Sequence, residues 1–498
     1  MQQSAMSPTR SRPAGDALLA DHGDDQSRLR RTVVAGPGGP VEVHDTILNG
    51  VLAQMADETT ITAGLAIAGH TDKRRRVLTG LVTVTIVLGL CLFRRDSYSL
   101  VIARVLPTSP RQILDGGPPT GQALSAARTR LPPTGMQAVF TQTAAVMPAA
   151  GPGSHAFGLL LTAFDGTVLD LPATSDIAAQ FATPSGGKYP QARLVTLVAC
   201  GTRWIIAAAQ GSSALSEQHL VDTLADTLQP GTLNLADRNF FSMHRWIRFA
   251  ATGAHLAWRV KNGSKSLPAR IIATLPDGSV LVRLHESDSM LSYRRAKTGD
   301  RTLTRLPDTI ARLVEFTLTV TDHSGKNRTT RFRILTTLLD HNQYPAEKIA
   351  QTYADRWQVE IIYLRLKTTL RGSGTRLRGQ TPTLAIQEIW GLLTVYNALA
   401  RLAVAAAVTL DIDPDHINFA AVLALTHASA TTDPACVQCG HRPDNPIDDL
   451  ITAIAAQPRN RTTRQRTSPR TKTQRRTERT RNVTYTITIV ASNLPKDQ

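Results

Sequence analysis

Between residues 353 and 367 the chain reads YADRWQVEIIYLRLK. Wound as a helix at about 100° per residue, Tyr353, Arg356, Glu360 and Lys367 fall within a stripe about 60° wide. Val359, Ile362, Tyr363, Leu366 and Leu370 flank that stripe on one side, and Trp357, Ile361 and Leu364 flank it on the other. Gln358, Arg365 and Thr369 take the face expected to meet solvent. A phenol, a carboxylate and two cations thus sit in the arc that should be buried. Buried charge is costly unless it is paired, bound to a metal or covered by a charged ligand. Two readings follow. Arg356 and Glu360 are four apart and could simply bridge each other, or the helix faces an active site.

One chemistry that uses such a carboxylate is phosphodiester cleavage and strand transfer, in which two divalent cations about 4 Å apart hold the attacking and leaving oxygens. Mg²⁺ takes oxygen ligands and keeps several waters, so two or three carboxylates on rigid elements suffice. Two aspartates upstream qualify. Asp165 ends the apolar run GLLLTAF and Asp237 ends GTLNLA. Each also has a local explanation, since Asp165-Gly166 is a turn word and Asp237 could cap a helix.

The elements needed to bring these groups together are legible as pattern. From His155 the order is strand, strand, strand, helix, strand, helix, strand, the order of a ribonuclease-H-like α/β core. Its strands are GLLLTAF, ARLVTLVAC, RWIIAAAQ, GTLNLADRNF and HLAWRVK, with a helix expected over Ser216 to Leu228. In such a sheet the first and fourth strands are neighbours, so Asp165 and Asp237 would meet, and Glu360 on a covering helix would close the triangle. Residues 262–335 read as a β-rich insertion before that helix.

The word Tyr-x2-Arg-x3-Glu-x6-Lys resembles the signature of bacterial transposases of the insertion sequence four family. FDGTVLDLP, LADRNFFS, WRVK, TLLDHNQYPAEKIAQTYADRWQVE, RLKTTLRG and LAIQEIWGLLTVYNALARL look like blocks of that family in family order, across roughly residues 45–410. The resemblance implies a catalytic, metal-holding triad of Asp165, Asp237 and Glu360, served by Mg²⁺ as two ions, with Mn²⁺ able to substitute. It implies cut-and-paste transposition by cleavage at terminal inverted repeats and joining to target DNA, with a homodimer holding two ends of double-stranded DNA. Arg356, Lys367 and Arg238 would then grip phosphates, and Tyr353 would bond a phosphate or stack on a distorted base. Hairpin chemistry with a flipped base would use an aromatic platform, either Trp258 or Trp357. The chain departs from the family pattern at ATSDIAAQF, which leaves Asp176 as a competitor for Asp165. A reading from another class is a transposase-derived DNA-binding protein without catalysis.

Composition agrees with a polyanionic partner. Lys plus Arg number 56 against 39 Asp plus Glu, a net charge of +17 over 498 residues. Residues 1–44, rich in Gly, Pro, Asp, Arg and Ser, read as disordered. A helical N-terminal domain is expected over 45–145, the catalytic domain over 155–410, and a looser region with a basic Arg/Thr tail over 411–498. The tail spans Arg459 to Arg481. The apolar run Val77 to Phe93 lies at the short limit for a bilayer span and reads instead as a buried helix. The N-terminus has no apolar signal core. Together with four cysteines that form no disulfide framework, this suggests a cytoplasmic, nucleoid-associated protein with no membrane partner. Cys436, Cys439 and His441, with His427, resemble part of a zinc site.

Overall fold

The computed structural model describes residues 32–36, 39–43, 56–72, 78–105, 119–149, 151, 153–263, 267–321, 327–354, 362–372, 375–430, 446–458 and 484–496. Outside them lie Arg356, Trp357, Glu360, Cys436, Cys439, His441 and the tract Arg459 to Arg481, with the expectations attached to each.

Within the segment expected to lack structure, β1 (Thr32–Gly36) and β2 (Gly39–Val43) pair antiparallel. Five helices follow: α1 (Glu58–Ile67), α2 (Gly80–Leu92), α3 (Tyr98–Val105), α4 (Gly121–Arg130) and α5 (Pro133–Ala144). Asp57, Thr79 and Thr120 start three of them by accepting the backbone N–H three residues on. The apolar run thus becomes α2, a helix buried on almost every side, as an all-round hydrophobic helix inside a protein must be.

The central sheet opens with β3 (His155–Ala156), β4 (Leu159–Asp170), α6 (Ser175–Gln180), β5 (Gln191–Ala199) and β6 (Trp204–Ser212). It continues through α7 (Glu217–Asp222), β7 (Thr232–Ala236), α8 (Met243–Ala250) and β8 (His255–Arg259). In space the order is β6-β5-β4-β7-β8, with β4, β7 and β8 mutually parallel. This is the expected ribonuclease-H-like arrangement. The Ser216–Leu228 helix is shorter than expected, ending at Asp222 and followed by a 3₁₀ turn over Ala225–Thr227.

The insertion supplies β9 (Ala269–Thr274), β10 (Val280–Leu284), α9 (Asp288–Thr298), β11 (Thr309–Thr321) and β12 (Asn327–Thr336). Its strands extend the same sheet, because β12 pairs antiparallel with β8. Next come α10 (Ala346–Ala354), a helical turn from Ile362 that widens into a π-helix over Arg365–Leu370, and α11 (Pro382–Thr409). The region after residue 411 belongs to the fold as well. There α12 (Phe419–Ser429) and α13 (Pro446–Ala455) pack on α11, and β13 (Thr484–Ile489) pairs with β11 along Phe316–Thr321.

Two hydrophobic cores sit on opposite faces of the sheet, as period-two alternation requires. Leu161, Ala163, Leu233 and Leu235 join one with α2, α5, α11, Tyr353 and Ile362. Phe164, Ala236 and Trp258 join the other with Leu220, Trp246 and Phe249. The N-terminal helices therefore share a core with the sheet. α11 binds them together and is about 42 Å long. Among the described residues it alone is long and apolar enough to cross a bilayer, and 83% of its most apolar window is buried inside the protein. Most of its buried polar groups are matched, the Trp390 indole N–H being an exception. Gln387 donates to the Arg128 carbonyl (2.7 Å), Glu388 pairs with Arg94, and Asn397 bonds both the N–H and C=O of Ile205, beside a β-bulge in β6.

Candidate active site

Asp165 is not in a turn. β4 runs unbroken through it, and Asp165 pairs with Thr196 of β5 inside a nine-residue antiparallel ladder. The local Asp-Gly turn preference loses to that ladder. On the other edge β4 pairs in parallel with β7, Ala163 opposite Leu235. Two residues further along stand Asp165, still in β4, and Asp237, just past the end of β7. In-register residues of adjacent parallel strands point to the same face and lie about 5 Å apart. That face is the one carrying Ala163, Leu235, Tyr353 and Ile362. Both aspartates are half-buried. Asp176, the competitor, lies exposed in the first turn of α6.

Two tyrosines of the signature stretch fasten the strands that carry these carboxylates. The Tyr353 hydroxyl, at the end of α10, donates to the carbonyl of Ala236, the residue before Asp237 (3.2 Å). The Tyr363 hydroxyl donates to the carbonyl of Asp165 itself (2.6 Å) and lies 2.8 Å from Thr196 Oγ1, which therefore donates to the phenol. Burial, reinforced by the negative charge of Asp165, pushes the Tyr363 phenol well above its ordinary pKa, so it stays a donor. These two residues bracket Glu360 in sequence. A third tie crosses the strands below: Asn234 donates to Thr162 Oγ1 (3.2 Å) and accepts from the Trp258 indole N–H (2.9 Å), joining β7 to β4 and β8.

The surroundings of Asp237 are cationic and well held. Arg259 of β8 places Nη1 3.5 Å from Asp237 Oδ1 and lies over the Phe332 ring at 4.4 Å. Asp237 Oδ1 is buried and accepts no hydrogen bond among the described residues. An anionic oxygen left in that state is suited to a metal ion. The loop after Asp237 is clamped by α7. Gln218 donates to the Asn239 carbonyl (2.8 Å), Asn239 donates to Glu217 (2.8 Å), and Arg245 bonds both oxygens of Asp222 and the Phe240 carbonyl. Glu217 also lies over Gly166, where a Cβ would stand 2.6 Å from its Oε1. One side chain thus touches the neighbours of both aspartates. The blocks WRVK and LADRNFFS carry Arg259 and Asn239, whereas nothing in the sequence pointed to Glu217.

The other expected site residues divide. Arg238 is exposed beside Asp237, and Lys367 is half-buried in the π-helical turn. Tyr353, expected at a phosphate or a base, is 3% exposed with its hydroxyl turned into the sheet. Trp258, expected as a stacking platform, is fully buried and packed edge-on against Trp246 and Phe249. It can offer a base no face. Arg365, assigned to solvent by simple periodicity, is buried and bonds Asp415. From Arg365 onward the helix is a π-helix, with the Arg371 N–H bonded to the Leu366 carbonyl (3.0 Å), so a uniform α-helical period does not describe this segment. His427 hydrogen-bonds the Leu92 carbonyl at 2.8 Å and stacks on Phe93. Among the described residues no group of three His, Cys, Asp or Glu side chains converges to hold a metal.

Comparison with known proteins agrees with this geometry. Residues 47–141 match the family described as insertion element 4 transposase N-terminal, and residues 156–398 match the transposase DDE domain. The chain is 28% identical over 365 residues to the transposase InsG for insertion sequence element IS4 of Escherichia coli K12, covering 72% of this chain and 77% of that one. A piggyBac transposase synaptic complex with hairpin DNA superposes with a TM-score of 0.40 at 10% identity, over 83% of this chain and 85% of that one, a likeness too slight to build on. The two matched segments, the strand order and the paired aspartates lead to one assignment: this chain belongs to the insertion element 4 family of DDE transposases.

Proposed function

We propose that the protein is a cut-and-paste transposase that cleaves its element at terminal inverted repeats and joins the released ends to target DNA, with Asp165, Asp237 and Glu360 as the catalytic carboxylates. The observation that supports this most is the parallel pairing of β4 with β7 up to Ala163 opposite Leu235, which leads Asp165 of β4 and Asp237, just past the end of β7, toward each other, with Asp237 Oδ1 buried and accepting no hydrogen bond among the described residues. Catalysis by the family depends on a divalent metal. Asp165, Asp237 and Glu360 would hold Mg²⁺, as two ions and with Mn²⁺ able to substitute, and the metal would supply an activated water and charge neutralisation at the phosphate. The chain's own residues do the rest. Tyr363 and Tyr353 fix the backbones of the two aspartate strands, and Arg259 offsets part of the acidic charge when the cleft is empty. Arg238, Arg356 and Lys367 bind the phosphates flanking the reacting bond, and Trp357 is the remaining platform for a flipped base. The working form is a homodimer on two DNA ends, acting at the nucleoid in the cytoplasm without a membrane partner.

The experiment is cleavage of duplexes bearing the element's ends with Mg²⁺, comparing wild type with Glu360→Gln. The expected result is loss of cutting by at least about a hundredfold with end binding retained. Equal cutting by both proteins removes Glu360 from the triad.

A further inference from the structure

Eight arginines are buried among the described residues; six of them donate hydrogen bonds through their guanidinium groups, and a seventh, Arg259, pairs with Asp237 at 3.5 Å. Arg128 donates to the Leu384 carbonyl, Arg203 and Arg365 to Asp415, and Arg312 to Asp277, for example. Arg371 is the exception. It is 7% exposed, and both its Nε and Nη1 are buried without an acceptor. No carboxylate among the described residues forms an ion pair with it. Burial pulls its pKa below the ordinary arginine value, with only the more distant charge of Asp170 acting the other way. Keeping a desolvated cation in this state is costly unless an anion arrives to share it.

The surroundings add positive charge rather than removing it. Burial, with smaller contributions from the like charges of Arg378 and Arg371, pulls the Arg94 pKa below the ordinary arginine value. The nearby carboxylate, Glu388, is already used by Arg94 and by the backbone N–H groups of Arg378 and Gly379. Arg376 is exposed, its guanidinium held 4.3 Å over the Tyr189 ring. We infer that Arg371, with Arg376 beside it, forms a binding site for a DNA backbone phosphate remote from the reacting bond. Asp170, the carboxylate whose charge acts on Arg371, lies five residues along β4 from Asp165, about 16 Å at strand rise. At one phosphate per 3.4 Å of strand that corresponds to roughly five nucleotides. Only this spacing depends on Asp165 marking the reaction centre.

The test measures DNA affinity against salt for the full-length protein, on a duplex with the element's ends and on an unrelated duplex. Wild type is compared with Arg371→Met, Arg371→Lys and Arg376→Gln. Each phosphate contact contributes about 0.9 to the log–log salt slope. Arg371→Met is expected to lower the slope by about that amount and to weaken both duplexes about tenfold, because a phosphate contact carries no sequence information. Arg371→Lys keeps most of the slope, and Arg376→Gln loses part of it. A second reading separates this from a structural role. Without DNA, Arg371→Met melts at or above the wild-type temperature, since an unpaired buried charge has been replaced by an apolar chain of similar length. A lower melting temperature with an unchanged salt slope makes Arg371 a structural residue and overturns the inference. If inorganic phosphate stabilises wild type but not Arg371→Met while the DNA slope is the same in both, the site takes a small anion and the DNA assignment fails.

Discussion

Asp165 and Asp237 are presented by backbone atoms that other side chains hold. The hydroxyl of Tyr363 is buried, protonated at any working pH, and spends its one proton on the Asp165 carbonyl. Tyr363→Phe removes that bond and leaves the Thr196 hydroxyl without its acceptor. A buried hydrogen bond is worth about 1–1.5 kcal/mol, so single-turnover cleavage should slow about tenfold, with half-maximal cutting displaced to higher Mg²⁺. An unchanged rate and metal midpoint would show that Tyr363 serves only packing. Gly166 gives a second case. A methyl group there would meet the Glu217 carboxylate, so Gly166→Ala should cost about 1–3 kcal/mol in urea unfolding. Most of that cost should vanish when Glu217→Ala is also present. Additive losses in this double-mutant cycle would deny the contact.

At the level of elements, the insertion and the signature helix are joined by one buried cluster. Asp277, in the turn between β9 and β10, pairs with Arg312 of β11 and accepts the N–H of Ala346, the first residue of α10. Arg312 also donates to the Tyr344 carbonyl (2.6 Å). Burial alone would raise the Asp277 pKa; bonds from Ser279, the Arg312 charge and the Ala346 N–H outweigh it and hold it below 3.8. A depressed carboxylate contributes stability that is present above its unfolded pKa and is lost as pH falls through the folded one. Melting temperature should therefore fall steeply below about pH 4, and Asp277→Asn should flatten that acid limb while lowering stability at neutral pH. An identical acid limb in both proteins would remove Asp277 from the account. None of this cluster was legible in the sequence, where Asp277-Gly278 reads as an ordinary turn. What was legible were features set by local pattern: the strand order, Asp237 at a strand end, and α2 as a buried helix. The strand end at Asp165-Gly166 and the solvent face given to Arg365 rested on local preference and a fixed helical period, and Tyr353 and Trp258 as DNA contacts on resemblance; each position is decided by a partner distant in the chain.

Among the described residues, the core and insertion strands form one sheet, with the N-terminal helices, α11 and the C-terminal helices on one face. Its last strand closes the assembly: β13 covers β11 from Phe316 to Thr321, and Ser492 donates to the buried Glu315 (2.6 Å). Removing residues 484–498 would uncover that strand and its unpaired N–H and C=O groups, so the shortened protein should melt several degrees lower, at roughly 2–4 °C per kcal/mol, and should self-associate. Unchanged melting and a monodisperse product would show that β13 is dispensable. The same compactness lets a sheet built far from the signature stretch present two carboxylates to it. The central claim is that Asp165 and Asp237 form one metal-dependent cleavage centre. It is tested most directly by Mg²⁺-dependent cutting of end-bearing DNA with Asp237→Asn. The account predicts folded protein that binds the ends and fails to cut at any Mg²⁺ concentration. Cutting at the wild-type rate would contradict it.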